Sequence, residues 1–190
     1  MSLNQLVFRK FKTNWMIKND ILVKGSQYVT EGGLPDDVWD KLVHAKPMSI
    51  IGIDPGKNFG VAVVCSDGDN LALDVFNGRL DDINYPLREV AFWFIQNFIT
   101  GFNPTLTASV IEGASYGDKF GQVKLAEART GFALGCSELG LSVTTVAPKT
   151  PRKVVFGSGN TGAWDVWLTL NHNAADALCL ALYPFYKEIE

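Results

Sequence analysis

Asp54, Glu112 and Asp176 are the residues of this 190-residue chain whose placement asks for chemistry. Asp54 ends the apolar part of "SIIGIDPGKNFGVAVV" (49–64), where a strand stops at a carboxylate, turns through a Pro-Gly pair and resumes. Glu112 closes "LTASVIEG" (106–113). Asp176 falls near the start of an apolar final helix, among Ala174, Ala175 and Ala177, small residues that permit close backbone approach. If the strands ending in Asp54 and Glu112 are parallel neighbours, their carboxylates lie about 5 Å apart. Two anions so close resist ionisation unless a cation separates them. Hard oxygen ligands at short range are what Mg²⁺ requires. His172 and Asn173 precede Asp176 by four and three residues, which puts them within reach of its helical face. The plainer reading of Asp176 is a helix-start charge facing the macrodipole.

Two further stretches could meet a ligand. "APKTPRKVVFGSGNTG" sets Lys149, Arg152 and Lys153 on a loop after the strand "LSVTTVAP", at the sheet edge shared by Asp54 and Glu112, where a phosphate would find cations. "GASYGDKFG" puts Tyr116, Lys119 and Phe120 in a loop after Glu112. Exposed rings there either pack under the loop or stack on bases, at about 1 to 3 kcal/mol per base.

The elements that must position these groups read most clearly from residue 49 onward. Strands are expected at 49–54, 59–66 and 71–77, joined by turns short enough for antiparallel hairpins. In "NYPLREVAFWFIQNFITGF" Leu87, Val90, Ala91, Phe94, Ile95, Phe98 and Ile99 recur at helical steps, with Pro86 placed for a first turn. A strand at 106–113, a helix over "GQVKLAEARTGFALGCSELG" ending at Gly140, a strand over "LSVTTVAP", and helices over "NTGAWDVWLTL" and "NHNAADALCLALYPFYKEI" complete the order β-β-β-α-β-α-β-α-α. This is an α/β chain with a mixed five-stranded sheet and helices on both faces. Glu127 and Arg129 read as a helix-surface ion pair outside the catalytic set.

Residues 1–47 differ. They hold short strand-like runs, one short helix at "LPDDVWDKLVHA", and seven Lys/Arg against five Asp/Glu, so the remainder carries −5 of the overall −3. The expectation is a small basic β-rich appendage (1–47) before the main domain (48–190); the alternative is that it adds strands to the main sheet.

Bulk properties bound the rest. An apolar content of 47% suffices for a core, and a net charge of −3 does not by itself advertise a polyanion partner. Cys65, Cys136 and Cys179 form no CxxC pair and read as core residues of a reducing compartment. No signal-peptide pattern or eighteen-residue apolar run occurs, so a cytoplasmic protein without membrane contact is expected. No Ser-His-Asp arrangement stands out, and the chain is too short for the duplicated actin-like fold.

"IGIDPGKNFGVAVV", "VIEGASYG" and "NAADALCLAL", in that order and spacing, resemble the RuvC-type Holliday-junction resolvases of the RNase H-like superfamily, most of all the shorter phage-type members. The likeness spans about residues 49–185. It implies an RNase H-like sheet of order 3-2-1-4-5, counting strands from residue 49. It also implies a homodimeric endodeoxyribonuclease that cuts four-way junctions and other branched DNA, such as flaps or forks, in the cytoplasm, or the host cytoplasm if phage-encoded.

Residue by residue, the resemblance implies that Asp54, Glu112 and Asp176 bind two Mg²⁺ or Mn²⁺ ions. The fourth ligand position, Asp or His in the family, falls on Asn173 with His172 adjacent. Arg152 stands where resolvases keep a catalytic-site lysine, and a second family lysine falls on Ala163. Gly157 and Gly159 fit a Gly-x-Gly loop whose freedom at positive φ lets backbone approach phosphate, and Tyr116 lies near the offset of a junction-inserting aromatic. Two other readings compete: a junction-binding protein of nuclease fold with weakened catalysis, and RNA processing as in the YqgF-like branch.

Overall fold

A computed structural model describes residues 8–18, 21–30, 42, 48–67, 71–80, 85–101, 106–114, 119–167 and 169–187. The short helix expected at 34–45 falls, but for Leu42, outside the described residues.

From residue 48 onward the expected elements form. Strands β3 (Met48–Asp54), β4 (Asn58–Ser66) and β5 (Leu71–Arg79) make an antiparallel meander, with Asp54 opposite Gly60 and Asn58 opposite Arg79. Helix α1 (Leu87–Thr100) begins at Pro86, which serves as its N-cap. Strand β6 (Ala108–Glu112) then pairs in parallel with β3, Ile53 beside Ile111. Helix α2 (Lys119–Glu138) ends two residues before Gly140, and β7 (Ser142–Val146) pairs in parallel with β6. Helix α5 (His172–Lys187) closes the described chain and continues through Pro184. Among these strands the order is β5-β4-β3-β6-β7, the expected 3-2-1-4-5.

Two expectations need correction. The sheet has seven strands, not five: β1 (Phe8–Ile17) and β2 (Ile21–Thr30) form a ten-residue hairpin, and β2 pairs with β5 from Lys24–Arg79 to Tyr28–Val75. The β-rich character of the N-terminal segment holds, yet its strands extend the main sheet, because β5 would otherwise be an unpaired edge. The hairpin reverses between Ile17 and Ile21. The second correction concerns 149–156. These residues are not a loop but helix α3 (Lys149–Phe156), followed by the short α4 (Ala163–Val166). Pro148 is the N-cap of α3 and Pro151 lies in its first turn, where the missing N–H has no helical acceptor to lose.

The two faces of the sheet are built differently. Against α1 and α2 lies an aromatic core in which Phe59 meets Phe94 at 4.7 Å between ring centroids and Phe132 at 5.4 Å. The other face is covered by α5, whose Ala174, Ala175, Ala177 and Ala181 are fully buried. Contact there is backbone to backbone: a Cβ on Gly52 would stand 2.2 Å from the Ala177 carbonyl oxygen, and one on Gly60 1.9 Å from that of Asn173. Small residues on helix and strands together let α5 sit low over β3 and β4.

Candidate metal and phosphodiester site

Strand alternation decides where the first two carboxylates go. Asp54 shares a face with Ile50 and Gly52, and Glu112 with Val110; Ile50 and Val110 belong to the core under α5, while Ile51, Ile53 and Ile111 face α1 and α2. Both acids therefore turn toward α5 at the carboxyl ends of adjacent parallel strands, the usual ligand edge of an α/β sheet. Asp176, in the second turn of α5, is 5% exposed and comes down onto the same spot.

The three groups act on one another electrostatically. Burial, then repulsion from Glu112 and Asp176, holds the Asp54 carboxyl well above the usual carboxylate range, with a hydrogen bond from Asn173 and the charge of Arg152 acting in the opposite direction. Glu112 is pushed up to about 7 by burial and by Asp176, against the pull of Arg152 and Arg129. Buried carboxylates that repel one another call for a neighbouring positive charge.

Arg152 supplies part of it. From the first turns of α3 its Nε and Nη2 donate to Asp176 Oδ1 at 3.2 and 2.8 Å. Asp176 is thus no unpartnered helix-start charge. His172 begins α5 with Nε2 3.6 Å from Asp176 Oδ2, and its side chain is 60% exposed, at the mouth of the site. Asn171 caps α5 by accepting the Asn173 N–H at 3.0 Å. The Asn173 amide then bridges to the start of β4, donating to the Asn58 carbonyl at 3.0 Å.

The donor set fits a hard divalent cation in kind: carboxylate oxygens, withdrawn from water and mutually repelling. It is not a ready-made cage, since no three His, Cys, Asp or Glu side chains among the described residues are arranged to hold a metal ion. One Asp176 oxygen is already taken by Arg152.

The remaining expected residues divide. Lys149 and Lys153 are exposed, and as members of a helix with Arg152 they stand at i, i+3 and i+4 on one face. Gly157 has φ 75° as the C-cap of α3, so its freedom ends a helix. Gly159 lacks a positive φ and is pressed close to Lys149, where a Cβ would lie 3.1 Å from the backbone oxygen. Ala163 is fully buried at the start of α4, a core position with no room for a charged side chain. Tyr116 and the side chains of Lys119 and Phe120 lie outside the described residues.

Arg129 was misjudged from the sequence. It reaches through from α2, on the opposite face, and its Nε donates to the Glu112 backbone carbonyl at 2.9 Å. Its Nη2 is buried with no hydrogen-bond partner among the described residues. The available signal was its place beside the buried stripe of Ala128, Phe132 and Cys136, which argues against a wholly exposed ion pair.

No protein-family model matches the chain. It is 28% identical over 150 residues to the crossover junction endodeoxyribonuclease RuvC of Bradyrhizobium diazoefficiens, an alignment covering 72% of this chain and 85% of that protein. Among solved structures, Thermus thermophilus RuvC matches with a TM-score of 0.58 at 23% identity, and the same protein in complex with a Holliday junction substrate with 0.57 at 22%. Each match covers 75% of this chain and 96% of the other. The chain is RuvC-like in sequence, and its fold is the RNase H-like fold of RuvC.

Proposed function

We propose that this protein is a structure-specific endodeoxyribonuclease that cleaves Holliday junctions and related branched DNA. One observation carries the reading: Asp54, Glu112 and Asp176 converge beside Arg152 at the carboxyl edge of a RuvC-like sheet. Asp54, Glu112 and Asp176, with the Asn173 carbonyl oxygen, are the groups that would hold Mg²⁺ or Mn²⁺, two ions in our reading. When bound, such ions activate a water and stabilise the leaving 3′-oxygen of a phosphodiester, giving 5′-phosphate and 3′-hydroxyl ends.

The chain's own residues do the rest. Arg152 neutralises Asp176 in the absence of metal and brings a guanidinium, which stays charged at any working pH, to the place where phosphoryl charge builds up. Asn173 fixes the start of α5 against β4 and donates to Asp54. Lys149 and Lys153, on the Arg152 face of α3, attract the DNA backbone. A four-way junction needs two symmetric cuts, which a two-fold dimer provides; Val123 and Leu134, 64% and 48% exposed on one side of α2, are apolar surface for a second copy to cover.

The test is cleavage of synthetic four-way, flap and linear DNA with Mg²⁺ or Mn²⁺. Wild type should cut the branched forms, and Asp54→Asn should lose at least about a thousandfold in rate. Junction binding without cleavage at saturating Mn²⁺ would favour a binding protein with weakened catalysis, the reading that the Arg152–Asp176 pair and Asn173 support. Cleavage of structured RNA alone would move the substrate to the RNA branch.

A further inference from the structure

The two N-terminal strands carry an excess of positive charge. Residues 8–18 and 21–30 contain Arg9, Lys10, Lys12, Lys18 and Lys24 and no Asp or Glu, in a chain where 20 carboxylates outnumber 17 cations. Such segregation marks a surface for a polyanion.

Register sorts these cations. Lys12 is opposite Ser26 and Asn14 opposite Lys24, so Lys12 and Lys24 are diagonal neighbours, and Lys10, Lys12 and Lys24 share one face with Phe8 and Tyr28. All three lysines are exposed. Phe8 and Tyr28 belong to the core under α5, so the lysines lie on the face to which Asp54 and Glu112 turn.

This face is tied to the start of α5. The Phe8 N–H donates to Thr169 Oγ1 at 3.0 Å, and the Tyr28 hydroxyl donates to Asn77 Oδ1 at 2.8 Å and also meets the backbone of Asn171, the α5 cap. Lys10 Nζ stands 5.8 Å from the centroid of the Tyr28 ring. The lysine strip is therefore held in fixed relation to Asn173 and Asp176. Lys24 pairs with Arg79, which pairs with Asn58 at the mouth of the β3–β4 turn, so one row of backbone runs from the site to the hairpin.

The carboxylates thus have two cationic surfaces near them: α3, whose Arg152 pairs with Asp176, and the hairpin beyond β5. From β3 to β2 is three strand spacings, about 14 Å. At about 3.4 Å of axis per nucleotide, that is roughly four base pairs of a duplex arm leaving the site. Lysines, as flexible point charges, suit phosphate contacts that fix position without reading sequence.

We propose that the Lys10, Lys12 and Lys24 face binds the phosphate backbone of a duplex arm of the same branched DNA that the carboxylates cut. The inference rests on the proposed nuclease function. It is tested in the full-length chain by binding to a four-way junction and to linear duplex, without divalent cation, over a range of salt. Substituting Lys10→Ala, Lys12→Ala and Lys24→Ala together should weaken junction binding on the order of tenfold or more and flatten the log-affinity against log-salt slope by roughly two to three, close to one unit per lost contact. The corresponding triple Lys→Arg protein should bind like wild type. If the triple Ala protein does not melt like wild type, Lys12→Ala and Lys24→Ala alone should each remove about one unit of slope. An unchanged slope and affinity overturns the inference. A wild type that cuts junctions beside a triple variant of unchanged binding refutes the hairpin surface alone; a wild type that neither binds nor cuts them refutes the nuclease reading as well.

Discussion

The two faces of the sheet are packed by opposite means. On the α1 and α2 face, Phe59, Phe76, Phe94, Phe98 and Phe132 fill the space with rings that meet mostly edge to face or at a tilt. On the α5 face, glycine and alanine remove side chains so that backbone meets backbone at Gly52 and Gly60. Aromatic burial supplies much of the stability, since each large ring removes extensive apolar area from water. Close backbone approach supplies position, because Asp176 reaches Asp54 and Glu112 only if α5 sits low. Stability and the placement of the three acids thus rest largely on different faces of one sheet.

Breaking each face should therefore give different failures. Gly60→Val would force α5 away from β4 and should abolish junction cleavage. Phe94→Ala should cost about 3 to 5 kcal/mol in denaturant unfolding yet retain near-wild-type cleavage per folded molecule. Equal losses of cleavage in the two folded proteins would refute the division of labour.

A smaller effect is expected at Arg152. Arg152→Gln should lower the cleavage rate by about a hundredfold while tightening Mn²⁺ binding measured by calorimetry, because Asp176 Oδ1 is released from its ion pair. Weaker Mn²⁺ binding would show that the guanidinium does not compete with metal for that oxygen.

Arg129 tests support from the aromatic face. Its hydrogen bond to the Glu112 carbonyl makes it a positioning residue, so Arg129→Ala should reduce cleavage by roughly 10- to 100-fold and raise the Mn²⁺ concentration needed for half-maximal rate. Partial rescue by Arg129→Lys separates positioning from simple loss of folding.

The smallest effect concerns pH. Glu112 keeps its proton up to about 7 in the folded, metal-free chain, against about 4.5 for an ordinary glutamate, and Asp54 shifts the same way. Their favourable contribution is complete below the unfolded value and is lost as pH rises through the folded one. The melting temperature of metal-free protein should fall by roughly a few degrees between pH 5 and 8, and Asp54→Asn should fall less. A flat or rising profile in metal-free wild type would contradict the repulsion that the site implies.

Much of this was legible in the sequence, for identifiable reasons. The strand ends at Asp54 and Glu112 follow from short continuous apolar runs that stop at an acid, and the α5 position of Asp176 from an apolar helix with small residues around it. Helix α3 was missed because Pro148 and Pro151 read as loop signals although both fall where a helix tolerates proline. The seven-stranded sheet was only an alternative, since strand pairing between β2 and β5 is non-local and leaves no mark in either segment alone. Arg129 escaped because a side chain crossing under the sheet end to a backbone carbonyl has no sequence motif.

The central claim is that three distant acids serve one cation site. Anomalous diffraction from crystals soaked in Mn²⁺ tests it most directly. The account predicts a peak bounded by Asp54, Glu112 and Asp176, with Arg152 withdrawn from Asp176 Oδ1. Saturating Mn²⁺ that leaves the Arg152–Asp176 pair intact, with no peak at that edge, would contradict it.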